Sequence, residues 1–359
     1  MENITLYYRE GSSDKIYQVI LEPEGDGHVV NFAYGRRGST LQTGCKTSTP
    51  VPYEKAKLIY DKLVREKTVK GYSPGESGTP YQHTDKQSQA TGILPQLLNP
   101  ITVKEAVTFV SNPLWVLQQK LDGKRMLLRK TDEEIVGINR TGLITALPQP
   151  LVEAAASLPG TFILDGECIG DQLILFDILE HDGEDLRSIS YRERLTALMN
   201  LVPTTGAHLC TAETAFETAH KAHLFALLRR ENKEGVVVKN LLAPYFGGRP
   251  ASGGDALKCK FAETASFIVE KINQKRSVAL RLLDGDQSRP AGNVTVPPNH
   301  DLPAVGDVVE CRYLYAFKES GCIYQPVYLG VRDDIPFEEC TIQQLKFKPA
   351  DHAQPLKAA

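Results

Sequence analysis

The stretch Trp115-Val-Leu-Gln-Gln-Lys120-Leu-Asp122-Gly123-Lys-Arg125 decides how this chain is read. Trp115–Leu121 reads as a strand, and Met126–Lys130 reads as the next one. Between them sits a lysine followed by a carboxylate, a glycine and two cations. A lysine that acts as a nucleophile must be neutral, and with an ordinary pKa of about 10.4 it rarely is at pH 7. Neighbouring cations, here Lys124 and Arg125, lower that value. Gly123 allows a tight turn behind the lysine, and Arg125 has the planar fork that holds a phosphate. A surface strand end of mixed charge would look the same in isolation, so the neighbouring sequence has to decide.

A series of short motifs follows in order: Asn139-Arg140-Thr-Gly142, Asp165-Gly-Glu167, Leu175-Phe176-Asp177, Glu234-Gly-Val-Val-Val-Lys239 and Leu257-Lys258-Cys-Lys260. Each is weak alone. Two separated carboxylates, Glu167 and Glu234, suit a hard cation with oxygen ligands such as Mg²⁺. Phe176 has the ring to stack on a purine, or equally to fill a buried strand. Lys239, Lys258 and Lys260 have the point charges to clamp phosphates, though lysines at strand ends are usually solvated.

In this order and spacing the motifs resemble those of the covalent nucleotidyltransferases, the superfamily of DNA ligases, RNA ligases and mRNA capping enzymes. The resemblance spans roughly residues 93–345. It implies Lys120 as the catalytic nucleophile and ATP as the cofactor, bound by Gln118, Arg125, Arg140, Glu167, Phe176, Lys239, Lys258 and Lys260. Mg²⁺ would sit on Glu167 and Glu234, with Glu167 also reaching the ribose. The stretch Gln325-Pro-Val-Tyr-Leu-Gly-Val-Arg332 resembles the closing strand of small, virus-type ATP-dependent ligases, which implies that Arg332 orients pyrophosphate. Three places depart from the family pattern. Gln118 stands where DNA ligases commonly have Glu. Ala256 stands where the family often has Trp. Ile335 replaces a Lys expected after the final Arg in larger ligases.

Working outward, the last part of the chain looks all-β. Ser266–Ile272, Ser277–Leu283, Gly292–Val296, Asp307–Tyr315 and Ile323–Val331 are five short strands separated by turns, which suggests a small barrel. It resembles the oligonucleotide-binding (OB) barrel of ligases. Helices are expected at Tyr191–Leu201 and Phe216–Arg230. Near the start, Lys15–Leu21 and His28–Tyr34 read as paired strands, and Tyr53–Lys67 reads as an amphipathic helix. With Tyr34-Gly-Arg36-Arg37-Gly38, this unit resembles the WGR domain of poly(ADP-ribose) polymerases, with Tyr34 in place of the signature Trp. That resemblance implies nucleic-acid binding by Tyr34, Arg36 and Arg37, by stacking and backbone contact.

The stretch 73–92 is almost devoid of apolar residues and reads as a flexible linker. The expected plan is therefore α+β. A small WGR-like domain occupies 1–80 and a linker 81–100. An adenylating nucleotidyltransferase domain of ATP-grasp-like antiparallel sheets with helices occupies 101–262. An OB-fold β-barrel occupies 263–345, and 346–359 is a tail.

Composition narrows the setting. The 359 residues carry 41 Lys+Arg against 44 Asp+Glu, a net charge of −3, which excludes a generic basic nucleic-acid coat but not a local basic site. Hydrophobic residues at 42% are too many for a disordered chain. No run of about 18 apolar residues predicts a membrane span, and the charged start does not read as a secretory signal. Seven cysteines with no C-x-x-C pair suit reduced thiols in a reducing cytoplasm.

The expected protein is thus a cytoplasmic, monomeric, ATP-dependent DNA ligase acting on nicked or broken duplex DNA in repair, recombination or replication. An RNA ligase and a GTP-using capping enzyme are the near rivals. A DNA-end-binding scaffold with an inactive core is the rival from another class. The front domain is expected to serve DNA binding alone, so that its deletion spares self-adenylation.

Overall fold

The computed structural model describes residues 1–10 and 13–348, so the tail beyond Lys348 lies outside the described residues. The first sheet contains β1 (Glu2–Glu10), β2 (Ser13–Glu24), β3 (Gly27–Arg36) and β4 (Gln42–Cys45). Helix α1 (Tyr53–Val69) crosses it, and β5 (Ser73–Pro74) closes its other edge on β1. Alternation along β2 explains the packing. Tyr17, Val19 and Leu21 meet Ala56, Tyr60 and Leu63 of α1. Ile16, Gln18 and Ile20 point the other way and are buried too, so this sheet is covered on both faces.

The second cover corrects the expected linker. Residues 73–92 are not a solvated tether in the structure. Gln18 Nε2 donates to Thr79 O at 3.0 Å, and a Cβ on Gly78 would lie 2.5 Å from that same nitrogen, so a larger residue there would displace the Gln18 side chain. Tyr81, in β6 (Tyr81–Gln82), is buried with Ile16, Ala33, Leu41 and Ala146. Poverty in apolar residues misled the sequence reading. One buried tyrosine and main-chain contacts suffice to hold a strap against a sheet that needs covering.

The central region follows: β7 (Asn99–Pro100), α2 (Val103–Val110), β8 (Trp115–Lys120), β9 (Lys124–Lys130) and β10 (Ile135–Asn139). Then come β11 (Ile144–Thr145), β12 (Leu147–Pro148), α3 (Gln149–Ser157), β13 (Phe162–Ile169) and β14 (Gln172–His181). It ends with β15 (Glu184–Asp185), α4 (Tyr191–Leu201), β16 (Leu209–Thr211), β17 (Thr214–Ala215), α5 (Thr218–Arg230), β18 (Gly235–Asn240) and β19 (Ala256–Lys260). β6 pairs with β12, which ties the strap to this region.

Two sheets result. One runs β11-β10-β9-β13-β14-β15, with β16 on β14; the other runs β17-β8-β18-β19-β7. Each has its own core. Met126, Leu128, Leu164 and Leu175 pack against Leu151 of α3 and Leu195 and Leu198 of α4. Leu117, Val236 and Val238 pack against Ala106 of α2 and Leu224 and Leu228 of α5. Each such buried aliphatic contributes about 1.5–3 kcal/mol relative to exposure. With helices behind both sheets, the alternate residues of β8, β9 and β18 face the space between them.

Helices α2 and α4 each start on a capping box, Thr102 with Glu105 and Ser190 with Glu193. The α4 box supports the expected span Tyr191–Leu201. Helix α3 was not anticipated: it follows β12 directly, with Pro148 at its N-cap, and no side chain caps it.

The last sheet is antiparallel and curled, in the order β22-β21-β20-β23-β26: β20 (Glu263–Asn273), β21 (Ser277–Asp284), β22 (Gln287–Thr295) and β23 (Val308–Tyr313). A hairpin of β24 (Tyr315–Ala316) and β25 (Ile323–Tyr324) precedes β26 (Val327–Val331). The single strand expected over Ile323–Val331 is thus two. Gln325 adopts φ of 52°, Pro326 follows it, and the chain turns from one partner strand to another.

Candidate active site

Strand register assembles the site. In β8–β18–β19, Gly235 lies opposite both Lys120 and Lys260. Its neighbour Glu234 is therefore delivered between the two amines: Lys120 Nζ lies 2.6 Å from one carboxylate oxygen and Lys260 Nζ 3.1 Å from the other. A side chain at Gly235 would meet the Cys259 carbonyl at 1.9 Å, so the approach requires glycine. Period-two alternation puts Gln118, Lys120, Val237, Lys239, Lys258 and Lys260 on the same face. They line a cleft of about 520 Å³.

The opposing sheet supplies the other wall. Register pairs Arg125 with Glu167 and Lys124 with Cys168. Burial, chiefly, pushes the Glu167 carboxyl up to about 7, against the pull of Arg125 and Lys120, and Glu234 adds to the rise. Gly123 earns its place differently from the sequence reading. Its φ is not in the left-handed region, but a Cβ there would sit 2.5 Å from the Cys168 carbonyl. The turn needs a glycine because β13 runs against it.

The structure brings Gln118, Lys120, Arg125, Arg140, Glu167, Phe176, Glu234, Lys239, Lys258 and Lys260 to this one cleft. Several are already engaged. Arg125 directs its fork to Asp165, with both N–O distances 2.7 Å, and Tyr245 Oη donates to the same carboxylate at 2.8 Å. The phosphate-holding fork expected of Arg125 is thus committed to a buried carboxylate. Phe176 is nearly buried, its ring 4.5 Å from both the Arg125 guanidinium and the Lys239 amine. Gln118 Nε2 donates to Tyr191 Oη at 3.0 Å and to Thr214 Oγ1 at 2.8 Å. Burial pushes the Lys239 amine down to about 8, partly offset by Asp177 3.7 Å away. Desolvation lowers Lys258 as well, and Arg249, Lys120, Lys260 and Arg140 reinforce that.

Arg332 is not among these residues. It lies on the barrel, bound to Asp334 at 2.7 Å and to Glu310 at 3.2 Å. The barrel instead reaches the cleft through Tyr324 and Gln325, with Gln325 accepting from Lys260 Nζ at 2.6 Å. Tyr315 Oη donates to Asp122 at 2.5 Å, beside the nucleophile candidate. Sequence reasoning missed these contacts because they arise from domain docking, which leaves no local pattern. It also missed Asp165 as the partner of Arg125, although the Asp-Gly-Glu motif contained it.

On the front sheet, Tyr34 is 45% exposed and its ring stacks with those of Tyr17 and Phe32. Arg36 lies with its guanidinium 3.9 Å from the Phe317 ring of the barrel. Arg37 pairs with Asp14 at 3.0 Å and lies over Tyr7. Among the described residues no helix is long and apolar enough to cross a membrane.

Two mainly antiparallel sheets face a basic, lysine-centred cleft, and a curled β-sheet domain follows them. The comparisons sharpen this. Residues 170–260 match the family model described as ATP dependent DNA ligase domain, and residues 2–79 match the WGR domain model. A probable DNA ligase of Kineococcus radiotolerans is 34% identical over 211 residues, covering 51% of this chain and 41% of that protein. One from a Nocardioides species is 31% identical over 176 residues, covering 42% and 34%. The chain thus spans less than half the length of these relatives. A solved Lig E DNA ligase shares the fold, with a TM-score of 0.50, 17% identity and coverage of 67% of this chain and 99% of that one.

Proposed function

We propose that this protein is an ATP-dependent DNA ligase that seals 5′-phosphate/3′-hydroxyl breaks, with Lys120 as the nucleophile. The observation that carries the reading is Lys120 at the strand end, 2.6 Å from the carboxylate of Glu234, in a cleft lined by further cations. In the first step the Lys120 nitrogen bonds to the α-phosphorus of ATP. The bond from that phosphorus to the bridging oxygen breaks, and pyrophosphate leaves with the electron pair. Lys120 must shed a proton, and Glu234 is the acceptor in contact with it. AMP then passes to a 5′-phosphate, and a 3′-hydroxyl displaces it. Arg140, Lys239, Lys258 and Lys260 offset the phosphate charge throughout.

Glu167 and Glu234 fit a divalent cation. Glu167 is a desolvated carboxylate that gains from nearby positive charge, and its titration senses Glu234. Among the described residues no group of three or more His, Cys, Asp or Glu could hold a metal unaided. That suits Mg²⁺, which keeps waters and substrate phosphates as its other ligands. When bound, Mg²⁺ would neutralise developing phosphate charge. Tyr34, Arg36 and Arg37 would engage the DNA, and the chain would act as a monomer.

The test is incubation with α-labelled ATP, then with nicked duplex DNA. The expected result is a covalent AMP adduct that Lys120→Ala abolishes, followed by sealing. A GMP adduct in place of AMP would point to a capping enzyme. Sealing of nicked RNA in preference to DNA would make it an RNA ligase. DNA-end binding with no adduct would leave a scaffold.

A further inference from the structure

The front sheet forms part of the cleft wall. Gln42, the first residue of β4, lines the cleft with Lys120, Lys124 and Arg125. The loop before it docks on the strand ends that carry the site. Thr40 Oγ1 donates to the carbonyl of Cys168, the residue after Glu167, at 2.9 Å. Lys124 Nζ donates to Leu41 O at 3.2 Å. Behind these contacts, Leu41 is buried in the cluster with Tyr81 and Ala146, and its N–H donates to Tyr81 Oη at 2.9 Å. Thr43 and Thr145 hydroxyls lie 3.2 Å apart across the same junction. A module that only tethers DNA would need none of this fixed geometry.

The register adds a second point. Tyr34 lies directly opposite Gln42 in the β3–β4 pair. Directly opposed residues project to the same side of a sheet. The exposed aromatic read as a nucleic-acid contact and the residue at the cleft rim therefore share one surface.

We propose that Gln42 is a nucleotide-positioning residue of the adenylation site, supplied by the front domain through the docked loop Ser39–Gln42. This rests on the ligase reading. Amid the cations of the cleft, the Gln42 carboxamide adds an uncharged N–H donor toward the phosphate chain of ATP. The front domain is then a working wall of the site as well as a DNA grip.

The test compares the full-length protein with Gln42→Ala and Gln42→Glu. Both changes fall on an exposed side chain, and thermal melting checks that each variant folds. Self-adenylation is followed against ATP concentration, and equilibrium binding of ATP is measured separately. Gln42→Ala should raise the ATP concentration for half-maximal adenylation about threefold to tenfold, the loss of one hydrogen bond, with little change in maximal rate. Gln42→Glu should raise it further, because a carboxylate repels the phosphates. Wild-type ATP dependence in both variants would overturn the proposal. If the parent protein forms no adduct, the ligase reading falls. The ATP-binding titrations still decide on Gln42, since equal affinities in all three proteins would overturn its role.

Discussion

Among single residues, Lys239 carries the clearest pH signature. Its amine is charged below about pH 8 and neutral above, because burial outweighs the carboxylate of Asp177. If Lys239 clamps a phosphate, that clamp is lost as pH rises through that value. The adenylation rate at limiting ATP, which reports the free enzyme, should show an alkaline limb near 8. Lys239→Arg keeps its charge and should move that limb upward. Arg125 invites a stability test. Removing it leaves Asp165 buried without its bidentate partner, and breaking such a pair costs about 3–5 kcal/mol. Denaturant melts of Arg125→Ala should report that loss, alongside any fall in activity. The residue types of the cleft were legible from motif order. Their engagements were not, since Gln118 bound to Tyr191 and Arg125 bound to Asp165 are contacts across sequence distance. Gly123 was noted for the right position but for a backbone freedom it does not use, because the nearness of β13 is a tertiary fact.

At the level of elements, the sheet of β8, β18 and β19 was readable and the barrel's approach to it was not. The apolar alternation of Val236 and Val238 marks a half-buried strand, and the register then sets Glu234 between two lysines. The hairpin of β24 and β25 is instead set off from β26 by Gln325, a break that no propensity announces. That hairpin brings Tyr315 to Asp122. Tyr315→Phe removes one charge-assisted hydrogen bond of about 1.5–3 kcal/mol in scale and keeps the ring. If the barrel must cover the cleft for self-adenylation, this change should slow adduct formation about tenfold or more and spare sealing by pre-adenylated protein. Single-turnover assays of the two steps separate these outcomes. Arg332 rests on Glu310 and Asp334, so any role at the pyrophosphate requires the barrel to shift and that pairing to break.

For the whole molecule, the net charge of −3 hides an uneven distribution. Lys120, Lys124, Arg125, Arg140, Lys239, Arg249, Lys258 and Lys260 converge on one cleft although the chain as a whole is slightly acidic. DNA binding should therefore weaken steeply with salt despite the acidic balance. Replacing Arg37 should lessen the slope of log affinity against log salt by about 1, if it meets a phosphate. Binding isotherms across a salt series decide this. The front module was legible from its short motif and strand–strand–helix order. Its seat was not, because residues 73–92 look like a spacer and behave as a strap.

The guanidinium of Arg36 over Phe317 has one more consequence. The front sheet touches the central region, the central region touches the barrel, and through this pair the barrel touches the front sheet. The chain closes into a loop of three bodies, each braced by the other two. Such a loop opens first at its weakest joint, and a lone cation–ring contact is weaker than a packed core or a set of hydrogen bonds. A phosphodiester drawn to Arg36 would compete for that same guanidinium. Any ligand that drew Arg36 away would cost the front sheet this contact with the barrel.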